Sequence, residues 1–139
     1  MLAPAIDTLP GWRTVTDLST AIGTIPLVAL GPAGAFVIET LDVTDVRTLA
    51  DVPERSLIHA WAQAKHLERR RLGGEVGAVL AITGADAGAP MGRRRGVQIL
   101  PVGMVTRWLS ARPSLLSPRE ATVLGDRLDK APLTLVIAA

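Results

Sequence analysis

The chain has 139 residues, 48% of them hydrophobic and 20% charged, and a formal net charge of +2. That balance excludes a disordered segment, and the length predicts one domain able to bury roughly 70% of its unfolded surface. There is no cysteine, which excludes disulfides, thiolate zinc sites and cysteine nucleophiles but leaves the compartment open.

The first stretch, "MLAPAIDTLPGW", has neither the basic region nor the long apolar run of a signal peptide. The longest apolar run, Ile25 to Ile38, is too short to span a bilayer and contains a Gly-Pro turn. The expectation is a cytoplasmic protein without membrane contact. Trp12 to Asp17 alternates apolar and polar and predicts a half-buried strand, with "LSTAIGT" following as a loop. Ile25 to Leu30 and Ala35 to Leu41 are nearly all apolar. Gly31 to Gly34 joins them as a tight hairpin turn, with Pro32 presetting φ at its second position. Strands apolar on both sides predict a sheet covered on both faces.

Asp51 to Leu72 predicts a long helix opened around Pro53 and closed by Gly73-Gly74. Leu57, Ala60, Trp61, Ala64 and Leu67 form its apolar face. Arg69, Arg70 and Arg71 fall in its last turn, where cations suit the helix dipole. Glu75 to Thr83 predicts a buried strand. Gly84 to Gly96 predicts an exposed, mobile loop ending in Arg93, Arg94 and Arg95. A short strand at Val97 to Leu100 and a helix at Pro101 to Ala111 follow. Ser117-Pro118-Arg119-Glu120 is a capping box that opens a last helix running to about Lys130. The apolar tail Pro132 to Ala139 reads as an added strand, a partner-bound segment or a frayed end. Three strands, a long helix, two strands and helices make an α/β arrangement with an antiparallel start and a crossover helix. It is a single domain with a core at about residues 10–130.

In order, "GWRTVTDL", "IPLVALGPAGAFVIET" and a helix carrying "AQAKHL" resemble the nuclease-related domain (NERD) family of the restriction-endonuclease-like PD-(D/E)XK superfamily. The resemblance spans about residues 10–130 and is most specific over "VALGPAGAFVIET". It implies a restriction-endonuclease-like mixed sheet with an antiparallel hairpin start, a crossover helix and flanking helices. It also implies a Mg²⁺-dependent nuclease chemistry. Two carboxylates from adjacent hairpin strands hold the metal, and a lysine two residues past the second positions the attacking water.

Carried over residue by residue, that set is broken. The first carboxylate position is Pro26, the second is Glu39, and the lysine position is Leu41. The family's N-terminal helix with its glutamate lies largely ahead of this sequence, and Gln63 matches a further family polar residue. A rebuilt site would draw on Glu39 and Asp42, with Asp45 close by, and on Gln63 and Lys65. Strand alternation sends Asp42 to the face opposite Glu39, and Lys65 points away from the helix's apolar face.

His59 and His66 lie seven residues apart on one helix, about 10 Å along its axis, too far to share a metal; both read as surface residues. No nucleophile elbow, dinucleotide fingerprint or Walker pattern occurs. Trp12, Trp61 and Trp108 each sit in an apolar pattern and read as core, with base stacking as the alternative. Of the 15 basic residues 13 are Arg. The runs Arg69 to Arg71 and Arg93 to Arg95 concentrate charge suited to phosphate backbone or an acidic protein surface.

The first functional expectation is therefore a pseudo-nuclease binding module without a cofactor. It would engage nucleic acid or a protein partner through its arginine patches. The alternatives are a Mg²⁺-dependent DNA nuclease rearranged around Glu39, and an assembly subunit whose segment 132–139 docks a second copy or a larger complex.

Overall fold

The computed structural model describes residues 2–72, 74–84 and 90–138, with side chains described except at Arg71 and 129–138. Its centre is a six-stranded mixed sheet in the order β1-β2-β3-β4-β6-β5. The strands are β1 (Arg13–Thr20), β2 (Gly23–Gly31), β3 (Gly34–Asp42), β4 (Val76–Thr83), β5 (Gly92–Arg94) and β6 (Val97–Pro101). β1, β2 and β3 pair antiparallel, β3, β4 and β6 pair parallel, and β5 returns antiparallel on β6. The chain is thus an α/β fold with an antiparallel start.

Helix α2 (Glu54–Leu67) crosses between the parallel strands β3 and β4 on one face. Its buried side chains join Val28, Leu30, Val37, Leu80 and Ile99 in one core. The other face is covered by α1 (Leu2–Asp7) and α3 (Val105–Ser110), around Ile6, Trp12, Ile38, Leu100 and Leu109. Two cores explain why β2, β3, β4 and β6 are apolar on both sides.

The Gly31–Gly34 turn forms as expected, with Gly31 opposite Gly34. A side chain at Gly31 would run into the Trp12 indole. The backbone N–H groups of Leu115 and Leu116 both donate to the Pro32 carbonyl, at 2.8 and 2.9 Å. The segment before α4 (Pro118–Ala138) is thereby pinned to the hairpin. The capping box is present: Ser117 N–H donates to Glu120 Oε1 at 3.0 Å, and Glu120 N–H to Ser117 Oγ at 3.2 Å.

Several expectations are corrected. "LSTAIGT" is not a loop; it completes β1, turns at Ala21-Ile22 and starts β2. The ladder between the two strands lacks its Asp17–Pro26 rung. Proline brings no N–H to that rung, and Asp17 takes a left-handed φ of 53°. The pairs Val15–Val28 and Leu18–Ile25, three residues apart, consequently face the same core instead of opposite ones. Helix α1 was not expected; Asp7 ties it to β1 by accepting from Thr14 N–H at 2.8 Å. Arg93 and Arg94 lie in β5 and not in a loop, and Arg95-Gly96 form the hairpin turn, both with positive φ. The loop's residues 85–89, like Gly73 of the helix stop, fall outside the described residues. α2 gives way to a π-helical turn over Glu68–Leu72. α4 runs to Ala138 and takes up the tail 132–138 as helix, so the added-strand reading is overturned.

Candidate functional site

The first cluster lies at the carboxyl-terminal half of β3, where the sequence places Glu39. Glu39 and Leu41 share the α2 face, as alternation requires, and Leu41 packs into the core there. The β2–β3 ladder ends at Val28–Val37. Beyond it β2 is kinked at Pro26, so Ile25 joins the α2-face core while Pro26 lines a hollow on the other face with Leu27 and Ile38. β2 contains no carboxylate to set beside Glu39.

What Glu39 meets instead is His59 on α2, with Nε2 and Oε1 3.2 Å apart. The Glu39 side chain is 13% exposed and His59 53%. The two groups lie within ion-pairing distance, a pair that carries opposite charges only when the imidazole is protonated. Burial pushes the Glu39 carboxyl above its ordinary range, and the charge of His59 works against that rise. One turn further along α2, Gln63 is 1% exposed, and neither amide atom has a hydrogen-bond partner among the described residues. Its neighbour is Gly23, where an added Cβ would lie 3.9 Å from Nε2.

Lys65 does not join this group. Six residues past His59, it is about 9 Å along the helix and about 240° around it. Its Nζ pairs with Glu68, 3.2 Å from Oε2, and Glu68 also accepts Val76 N–H at 2.9 Å. Asp42 is exposed and packs against Gly84, and Asp45 is exposed. Among the described residues no three metal-ligating side chains converge. Glu39, His59 and Gln63 offer one carboxylate, one imidazole and one amide, a set too small for the two-carboxylate chemistry.

The second feature is a groove of about 410 Å³ at the amino-terminal ends of the parallel strands. Trp61 and Lys65 of α2, Arg93 of β5, the turn residue Gly96, and Trp108 and Arg112 of α3 and its extension line it. Trp61 is 41% exposed, which overturns its assignment to the core. It lies over Gly96, where an added Cβ would sit 3.2 Å from its ring and the φ of +76° suits glycine. Lys65 Nζ is 5.8 Å from the centre of the Trp61 ring. The Arg112 guanidinium lies 4.5 Å from the centre of Trp108, and Trp108 stands edge-on to Phe36 at 5.5 Å. Cation–π contact and edge packing hold the second indole in place. Arg93 is exposed and forms no ion pair among the described residues. Glu75 is the one acidic residue among the described residues of the lining.

The expected arginine runs divide. Arg93 enters the groove, and Arg69 borders a shallow hollow with Lys65 and Glu75 beside it. Arg70 is exposed, and the Arg71 side chain lies outside the described residues. Arg94 turns inward and donates to the carbonyls of Leu49 and Val52 at 3.1 and 2.7 Å. Arg95 pairs with Glu54 at 2.8 Å. Arg94 braces the fold, and Arg95, exposed at the turn, shares its charge with Glu54, so the triplet is not one patch of free charge. Reading the sequence missed Arg112 and assigned Trp61 and Trp108 to the core. The signal available was the placement of each tryptophan four residues from a cation, as in Trp61/Lys65 and Trp108/Arg112.

No helix among the described residues is long and apolar enough to cross a membrane. No family model matches the chain, and no curated protein or solved structure shows significant similarity to it.

Proposed function

We propose that this chain is a non-catalytic binding module on a restriction-endonuclease-like scaffold, and that it holds single-stranded nucleic acid in the groove between Trp61 and Trp108. The scaffold reading is supported by the antiparallel hairpin followed by the β3–α2–β4 crossover, with Glu39 near the end of β3. The non-catalytic reading is supported by Pro26, by Leu41 packed into the core, and by Lys65 held on Glu68.

The observation that carries the ligand class is two indoles and three cations on one groove. Aromatic faces accept bases of any identity, and cations along the wall take the phosphates. An acidic protein surface would use the cations but would gain less from an exposed indole seated over a turn glycine.

The test is a titration with an oligothymidylate of about 15 nucleotides at low salt, following tryptophan fluorescence. Binding should quench the emission, and Trp61→Ala should weaken affinity about tenfold or more, the cost of one lost stacking contact. Absence of binding at low salt, or full affinity in both Trp61→Ala and Arg93→Ala, would overturn the ligand assignment. Plasmid incubated with Mg²⁺ or Mn²⁺ should stay intact. Cleavage that disappears in Glu39→Ala would overturn the non-catalytic reading.

A further inference from the structure

A larger hollow, about 760 Å³, lies at the opposite ends of the same strands. We infer that it is a binding site for a small organic ammonium with an apolar body, held by Asp17 and a ring of threonine hydroxyls.

Position is the first argument. Thr40 lies two residues before the carboxyl end of β3, Thr83 ends β4, and Thr106 stands on α3 just beyond β6. In open α/β sheets the crevice outside the carboxyl ends of the strands is where ligands bind. The volume falls within the range of small-molecule sites.

Lining chemistry selects the ligand. Leu27 and Ile38 contribute an apolar floor, both buried in the core below. Thr16, Thr40, Thr83 and Thr106 reach the hollow from four different elements, and no hydroxyl of the four is hydrogen-bonded within the described residues. Among the described residues, Asp17 is the only charged residue in the lining, and its carboxylate has no ion pair or hydrogen bond. With no Lys, Arg or His among the described lining residues, the hollow disfavours phosphates and carboxylates. A carboxylate over an apolar floor favours a cation that carries hydrocarbon.

Backbone geometry supplies the third argument. Asp17 holds a φ of 53° at the missing rung opposite Pro26, and Pro26 also lines the hollow. A left-handed conformation at a non-glycine residue costs energy, and such residues collect at ligand sites. Asparagine and glycine accept this conformation, so both can replace Asp17 without breaking the turn of the strand.

The experiment uses phenethylamine, phenethyl alcohol and hydrocinnamate as matched cationic, neutral and anionic probes, followed by amide chemical shifts of the full chain. Phenethylamine should bind about fivefold or more tighter than hydrocinnamate, the contribution of one partly exposed ion pair. Shifts should fall on Thr83, Val102 and Thr106, and oligothymidylate should not displace the amine. Asp17→Asn and Asp17→Gly should each erase the preference for the amine. No amine binding at millimolar concentration would overturn the inference. So would equal binding of the anion, or shifts centred on the Trp61 and Trp108 indoles.

Discussion

Each α2 side chain is set by its angle around the helix. At about 100° per residue, the buried arc runs from Gln63 through Leu67, Ala60 and Ala64 to Leu57. Trp61 lies about 100° from the centre of that arc, which is why an indole that fits the apolar spacing emerges on the surface. Gln63 lies at the other edge, inside the arc, where its amide finds no partner among the described residues. A buried unpartnered amide costs about 1–3 kcal/mol. Gln63→Leu is therefore expected to stabilise the protein by about 1 kcal/mol or more in urea denaturation. A loss of stability would show that the amide is satisfied where it stands. Glu39 gives a pH signature. Its carboxyl is raised above the ordinary 4.5, so the native state holds its proton to a higher pH than the unfolded chain does. Stability from this group is complete below 4.5 and falls as pH rises through the native value. Glu39→Gln should raise the melting temperature at pH 7, and the gain should vanish near pH 4. A gain of the same size at both pH values would rule out ionisation of Glu39 as its origin. Glu39 was legible in the sequence as a carboxylate on an otherwise apolar strand. His59 was not, because its partner lies on another element, across the sheet–helix interface.

At the level of elements, the arginine triplet shows where local pattern stops being informative. Gly92–Arg94 has no apolar alternation and no β-branched residue. It is a strand because β6 offers an edge and Arg95-Gly96 supply a two-residue turn. Three consecutive arginines read as one patch in the sequence, yet a strand sends neighbours to opposite faces. Arg93 faces the groove while Arg94 reaches back to the Leu49 and Val52 carbonyls and to Glu54, 3.5 Å away. Arg94→Ala should lose about 2 kcal/mol, since two carbonyls lose a charged donor. Arg93→Ala should stay within about 0.5 kcal/mol of the parent, as an exposed position does. Urea denaturation of the two variants side by side checks this, and equal losses would mean that the strand does not separate their roles. The capping box and the Pro32 turn were legible because their chemistry is local, within four residues. The missing rung at Asp17–Pro26 and helix α1 were not: the rung follows from Pro26 only once the β1–β2 register is known, and α1 depends on the core it covers.

Across the whole molecule, the two ends of the parallel strands carry opposite chemistry. The amino-terminal ends open onto Lys65, Arg93 and Arg112, and the carboxyl-terminal ends onto Asp17. A formal net charge of +2 is small for a protein that would bind polyanions by overall attraction. Affinity for nucleic acid must then come from the few cations at the groove, and salt should report their number. Three phosphate contacts on a single strand give a slope of about −2 in log affinity against log salt. Glu75 in the lining and Glu68 on Lys65 act to lower the count rather than raise it. Removing Arg93 should shrink the slope by about 0.7, whereas removing Arg70, exposed on the π-helical turn and outside the groove lining, should leave it unchanged. Binding isotherms of the parent, Arg93→Ala and Arg70→Ala across a salt series measure this directly. A slope much steeper than −2, or one reduced equally by both substitutions, would place the polyanion over the wider arginine surface and not in the tryptophan groove.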